Sequence, residues 1–151
     1  MISQSDFKPI ISLTPEVIGK VSDIGITKEL TIESNVTWEA SVDVDWIELS
    51  PKSGESGVTT MTVNIDRNVS VDRRSAVISV VNSEYGIEEE ISVVQSEFVP
   101  ELKVNVEKLE NISFDGSSEE VRIESNVPWE ASVDVDWLEI SPKSGLSGVT
   151  T

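Results

Sequence analysis

Apolar and polar residues alternate with period two along most of this chain, the pattern of strands with one buried and one wet face. From Val36 to Trp46 every even position is apolar (Val36, Trp38, Ala40, Val42, Val44, Trp46) and every odd one polar (Thr37, Glu39, Ser41, Asp43, Asp45). At Trp46–Ile47 the phase flips, and Ile47 and Leu49 carry the apolar pattern onward. Side chains alternate strictly along a strand, so a flip requires a bulge, a bend or a short loop between two strands.

The same alternation predicts strands around Pro9–Leu13, Leu30–Ile32, Met61–Ile65, Ala76–Val80 and Ile91–Gln95. Turn-forming clusters separate them: Ser50-Pro51-Lys52-Ser53-Gly54, Asn82-Ser83-Glu84-Tyr85-Gly86 and Asp115-Gly116. No segment holds a helical period. About seven short strands in about 90 residues predict an all-β, immunoglobulin-like β-sandwich.

The pattern then recurs. Residues 123–151 repeat residues 32–60 at an offset of 91 (Trp38 to Trp129, Trp46 to Trp137), and only four of 29 positions differ: Thr37/Pro128, Ile47/Leu138, Leu49/Ile140 and Glu55/Leu146. Upstream the likeness is thin, with Glu16, Ser22, Gly25 and Glu29 alone recurring across 11–31 and 102–122. The expected organisation is an N-terminal tail at 1–8, one full sandwich at 9–97, a Val99-Pro100 linker within 98–101, and a partial second copy at 102–151. That second copy lacks counterparts of the strands at Met61–Ile65, Ala76–Val80 and Ile91–Val93. Half a sandwich exposes strand edges and an apolar face, so the expectation is fraying at 102–151 or a domain-swapped homodimer through the truncated repeat.

The order of features resembles one family. Trp38 is followed by Trp46-Ile47, Ser50-Pro51 and Ser53-Gly54, then a strand ending near Asn68, Arg74-x-Ala76-x-Ile78-x-Val80, and a closing Ile91-x-Val93-x-Gln95. This resembles the BACON domain of Bacteroidetes proteins, a module found beside glycan-degrading catalytic domains. The resemblance covers about 11–97 in full and 102–151 in part. It implies an immunoglobulin-like fold, export to the cell surface or beyond, and glycans or mucin as partners, with a structural spacer as the alternative role. It brings no catalytic residue, cofactor or ligand motif to carry over.

Composition narrows the chemistry further. Lys and Arg number 11 and Asp and Glu 28, for a net charge of −17, which disfavours nucleic acid and anionic membrane surfaces as partners. With neither His nor Cys, the usual zinc sites, Ser-His-Asp catalysis and disulfides are excluded. The expectation is a non-enzyme with no metal and no cofactor. No stretch reaches membrane-spanning length and no leader pattern opens the chain, so direct membrane insertion is not expected and an export signal would lie outside this fragment.

Sugar sites pair exposed aromatic faces with carboxylates and amides. Trp38 and Trp129 fall on apolar strand faces and read as core. Trp46 and Trp137 stand at the phase flip and Tyr85 at a turn tip, which makes these three the candidate carbohydrate-binding residues. Asp43, Asp45 and Glu48 read as a solvated face, because calcium requires six to eight converging oxygens and a glycosidase two carboxyls facing across a cleft. Glu88-Glu89-Glu90 reads as a charge run guarding an edge strand. Arg73 and Arg74 are expected to pair with carboxylates of the sandwich. Three Asn-x-Ser/Thr matches, at Asn35, Asn68 and Asn111, read as chance.

Overall fold

The structure is a computed structural model that describes residues 6–151 and contains strands but no helix among them. The expected tail lies outside the described residues as far as residue 5. The chain forms two compact units, one ending at Phe98 and one running from Val99 to Thr151.

Among the described residues the first unit has eight strands: β1 (Ile11–Thr14), β2 (Ile26–Ser34), β3 (Trp38–Val42), β4 (Ile47–Ser50), β5 (Ser53–Gly54), β6 (Gly57–Ile65), β7 (Arg74–Asn82) and β8 (Ile87–Gln95). They form two antiparallel sheets ordered β1-β2-β6-β4 and β5-β3-β7-β8. This is the order of an immunoglobulin constant-type sandwich, with the short β5 added at the edge beside β3.

Alternate residues of each strand fill the space between the sheets. Leu30 and Ile32 of β2, Met61, Val63 and Ile65 of β6, Ile78 and Val80 of β7, and Ile91 and Val93 of β8 are all at most 2% exposed. Burying each such side chain contributes about 1.5–3 kcal/mol, which lets a core without disulfides hold the fold. Trp38 is buried at the start of β3, where immunoglobulin-like sandwiches carry a core Trp.

The phase flip has a topological cause. The expected 36–46 strand stops at Val42, and residues 43–46 form a bend that carries the chain from the β3 sheet to the β4 sheet. Inward-facing positions must therefore restart at Ile47. Val42, Val44 and Trp46 remain half-buried against the core as the chain crosses over. The turn expected at 50–54 hides a second departure, since Ser53 and Gly54 pair with Glu39 and Trp38 as β5.

A polar lock closes one end of the sandwich. Gln95 is fully buried, its Nε2 donates to the carbonyls of Ser22 (3.0 Å) and Asp66 (2.8 Å), and its Oε1 accepts from Arg74 Nε at 2.8 Å. Asn68, also buried, donates from Nδ2 to the carbonyls of Asp72 and Ser96, both at 2.9 Å. These bonds satisfy amides that would otherwise cost about 1–3 kcal/mol each to bury. Gly25 joins the same end with φ +86°, and a Cβ there would fall 2.4 Å from the Ile65 carbonyl.

β8 is a sheet edge, and Glu88, Glu89 and Glu90 on it are exposed, the guarding role read from the sequence. The Glu90 carboxyl is held above its ordinary range, first by a hydrogen bond with Glu88 and then by that neighbour's charge.

The second unit contains β9 (Leu102–Val104), β10 (Ile123–Ser125), β11 (Trp129–Glu130), β12 (Ser144–Gly145) and β13 (Gly148–Thr150), in one sheet ordered β13-β10-β9 and one β11-β12 pair. Its registers copy the first unit. Ile123 faces Val104 and Thr150 as Ile32 faces Leu13 and Thr59, and Trp129 faces Gly145 as Trp38 faces Gly54.

Candidate functional site

Trp46 is half-buried, and its ring is already occupied. The Arg74 guanidinium stacks over it at 4.2 Å from the ring centroid. The same Arg74 donates from Nη2 to the carbonyls of Asp66 and Arg67, both at 3.0 Å, and from Nε to Gln95. A sugar stacking on that face of Trp46 would have to displace an arginine held by three hydrogen bonds. Arg74 therefore departs from the expected carboxylate pairing: the planar guanidinium fork finds carbonyls, an amide and an indole instead. Arg73 does meet a carboxylate, with Nε 3.7 Å from Glu97 Oε2. The Glu97 carboxyl is held below its ordinary range, first by a hydrogen bond from its own backbone and then by the charges of Arg73 and Lys20.

Tyr85 sits at the tip of the β7–β8 hairpin, 47% exposed, and packs against the exposed Phe7 ring at 5.4 Å between centroids, tilted by 56°. The turn geometry follows from its sequence. Asn82 Oδ1 accepts from the Tyr85 N–H at 2.9 Å, and Gly86 takes φ +66° to return the chain into β8. Trp137, in the second unit, is 78% exposed. Within the first unit the structure places Trp46 at the polar lock and Tyr85 at the hairpin tip; Trp137 belongs to the second unit.

A groove that sequence reading did not single out lies where the hairpin meets β3 and β5. Its volume is about 290 Å³, and Trp38, Gly54, Glu39, Glu55, Asn82 and Glu84 are among the residues that line it. Asn82 ties the hairpin to this wall by donating from Nδ2 to the Thr37 carbonyl at 2.8 Å. A Cβ at position 54 would lie 2.5 Å from Trp38 Cζ2, so only glycine lets the indole press against the β5 backbone. The Trp38 Nε1–H is enclosed and has no acceptor. The second unit repeats this corner, with a Cβ at 145 also 2.5 Å from the Trp129 ring, an enclosed Trp129 Nε1–H without acceptor, and a groove along Trp129 and Gly145. The recurring Trp–Gly pair was visible in the repeat. Its meaning was not, because fifteen residues separate Trp38 from Gly54 and only strand pairing joins them.

Asp43, Asp45 and Glu48 are all exposed, as a solvated face should be. Asn68 is 1% exposed with its amide spent on two carbonyls, which removes it as a glycosylation acceptor.

Comparison with known proteins now places the chain. Residues 36–96 match BACON, a family described as “Putative binding domain, N-terminal”, and residues 90–150 match the viral BACON domain. The chain carries BACON-like copies in tandem. No curated protein sequence matches it. Among solved structures, a Bacteroides ovatus GH5 xyloglucanase in complex with a XXXG heptasaccharide contains a similar fold, with TM-score 0.53 and 20% identity over 60% of this chain. At that identity the likeness is one of fold, and the chain spans 19% of the xyloglucanase chain.

Proposed function

We propose that this chain is a non-catalytic, extracellular module of a bacterial glycan-utilisation protein, and that it binds glycan or mucin chains. The observation that carries this reading is the fold likeness to a fifth of a xyloglucanase chain, within a family described as a binding domain. A sandwich that makes up so small a share of such a chain suits an accessory to the chemistry. Binding without catalysis also fits a chain lacking His and Cys, whose carboxylates lie on solvated faces. The acidic charge of −17 suits a protein displayed in water at high local concentration.

A spacer role is the second reading, favoured by the Arg74–Trp46 stack. That contact turns the aromatic at the phase flip into packing and stiffens the end of the sandwich from which the chain leaves toward Phe98.

Affinity electrophoresis of the full chain through gels containing xyloglucan, other neutral plant glycans or mucin separates the two. Retardation by at least one polymer is expected. Migration unchanged in every gel, with the chain folded, would sink the binding reading and leave the spacer.

A further inference from the structure

We propose that the hairpin tip of the first unit is a subsite for a neutral saccharide; this rests on the carbohydrate-binding reading above and gives it an address. The hairpin contributes to two surfaces, an aromatic pair at Tyr85 and a groove wall at Asn82–Glu84. One is apolar: the Tyr85 and Phe7 rings, 47% and 58% exposed and tilted by 56°, form an open angle of two aromatic faces. The C–H face of a pyranose packs against such rings, and its hydroxyls then need partners at the rim. The other surface supplies them. The hairpin that presents Tyr85 also gives Asn82 and Glu84 to the groove, whose remaining walls include Glu39 and Glu55.

The charge of the groove selects the class of ligand. Glu39, Glu55 and Glu84 are exposed, and among the described residues no ion pair engages them. Ionised carboxylates only accept hydrogen bonds, so they match hydroxyl donors and repel anions. A uronate or sialylated glycan would meet three like charges, whereas a neutral glycan meets three acceptors. The floor is the Trp38 indole, held against Gly54 with its Nε1–H enclosed and lacking an acceptor. An unbonded N–H beneath the groove provides a local reporter of occupancy.

The second unit has the floor without the walls. Leu146 stands where Glu55 does and Pro128 where Thr37 does, and no strand pair in the described residues takes the place of β7–β8 beside Trp129. Among the described residues, the groove with its carboxylate walls is therefore that of the first unit.

The test is a titration of the isotope-labelled full chain, followed by amide and indole N–H resonances. The probes are the XXXG heptasaccharide, a linear gluco-oligosaccharide and an oligogalacturonate. A neutral probe should move the Trp38 indole signal and the amides of residues 53–55 and 82–86, leaving the Trp46 and Trp137 indoles in place. Tyr85→Ala should weaken binding about tenfold, the worth of one aromatic contact. Glu55→Leu, which installs the residue of the second unit, should weaken it about threefold, the worth of a solvent-exposed hydrogen bond. Both positions are exposed, so the variants keep the fold. Neutral glycan binding with shifts centred on Trp46 or Trp137, or undiminished by Tyr85→Ala, overturns the subsite while the binding reading survives. Oligogalacturonate binding as tightly as the neutral probes overturns the ligand class. No shift with any probe, from a chain that is folded, overturns the subsite, while the binding reading then stands or falls on the gels.

Discussion

The two units of this chain place nearly one sequence in two environments. Over residues 32–60 and 123–151 the local geometry is copied. Ser34 and Ser125 each donate from Oγ to the carbonyl two residues on at 2.7 Å. Asn35 accepts from the Ile10 N–H and donates to the Lys8 carbonyl just ahead of β1, and Asn126 accepts from the Glu101 N–H and donates to the Val99 carbonyl just ahead of β9. Burial is copied only at the corner of Trp38 and Trp129 and at Ser34 and Ser125. Ile11, Leu13, Ile18, Val21 and Ile47 are core, while their counterparts Leu102, Val104, Leu109, Ile112 and Leu138 are exposed. Trp46 lies under Arg74, whereas Trp137 is 78% exposed. The difference lies in β6–β8: β13 ends at Thr150, and the partners that β4 finds at Thr62–Ile65 have no counterparts in the chain. Short-range hydrogen bonds follow from sequence, but a core needs the opposite sheet.

Amide hydrogen exchange should show the contrast at its largest. Amides of β2, β6 and β7 open only with the whole sandwich and should exchange about 10⁴-fold or more slower than unstructured chain. Those of β10 and β13 should exchange within about a hundredfold of it, because their sheet covers no core. Equal protection in both units would break the comparison.

Matched truncations come next. Ile47→Ala should cost about 2–4 kcal/mol of the main unfolding transition in denaturant, and Leu138→Ala less than about 0.5 kcal/mol. A similar loss from both would mean that the second unit has a core of its own.

Arg74→Ala tests the polar lock. It leaves the buried Gln95 Oε1 without its donor and should cost about 1–3 kcal/mol. Trp46 fluorescence should shift, and Trp137 fluorescence should not. The smallest effect is expected at the repeated glycine. Gly54→Ala forces a Cβ against Trp38 and should lower stability by about 1–2 kcal/mol, while Gly145→Ala should disturb the β11–β12 pair with no change in the main transition.

Much of this was legible in the residues. The strand set followed from period-two alternation, because one wet face and one dry face leave that signature on each strand. The repeat set the copied registers, and Glu88-Glu89-Glu90 marked an edge. The candidate site was read less well. Trp46 drew notice as an aromatic at a phase flip, yet the flip is a change of sheet and Arg74 closes over the ring. The groove at the hairpin tip went unseen because Trp38, Gly54 and Glu84 meet only through the pairing of β5 and β7 with β3.

The sequence by itself determined the alternation, the turns, the tandem repeat and the acidic surface, since each depends on neighbours a few residues apart or on totals. Tertiary structure alone decided which of two identical tryptophans is covered, which of two matched apolar faces is core, and which carboxylates share a groove. Those outcomes depend on strands distant in the chain, and the energy of burial exists only where such strands are present to exclude water.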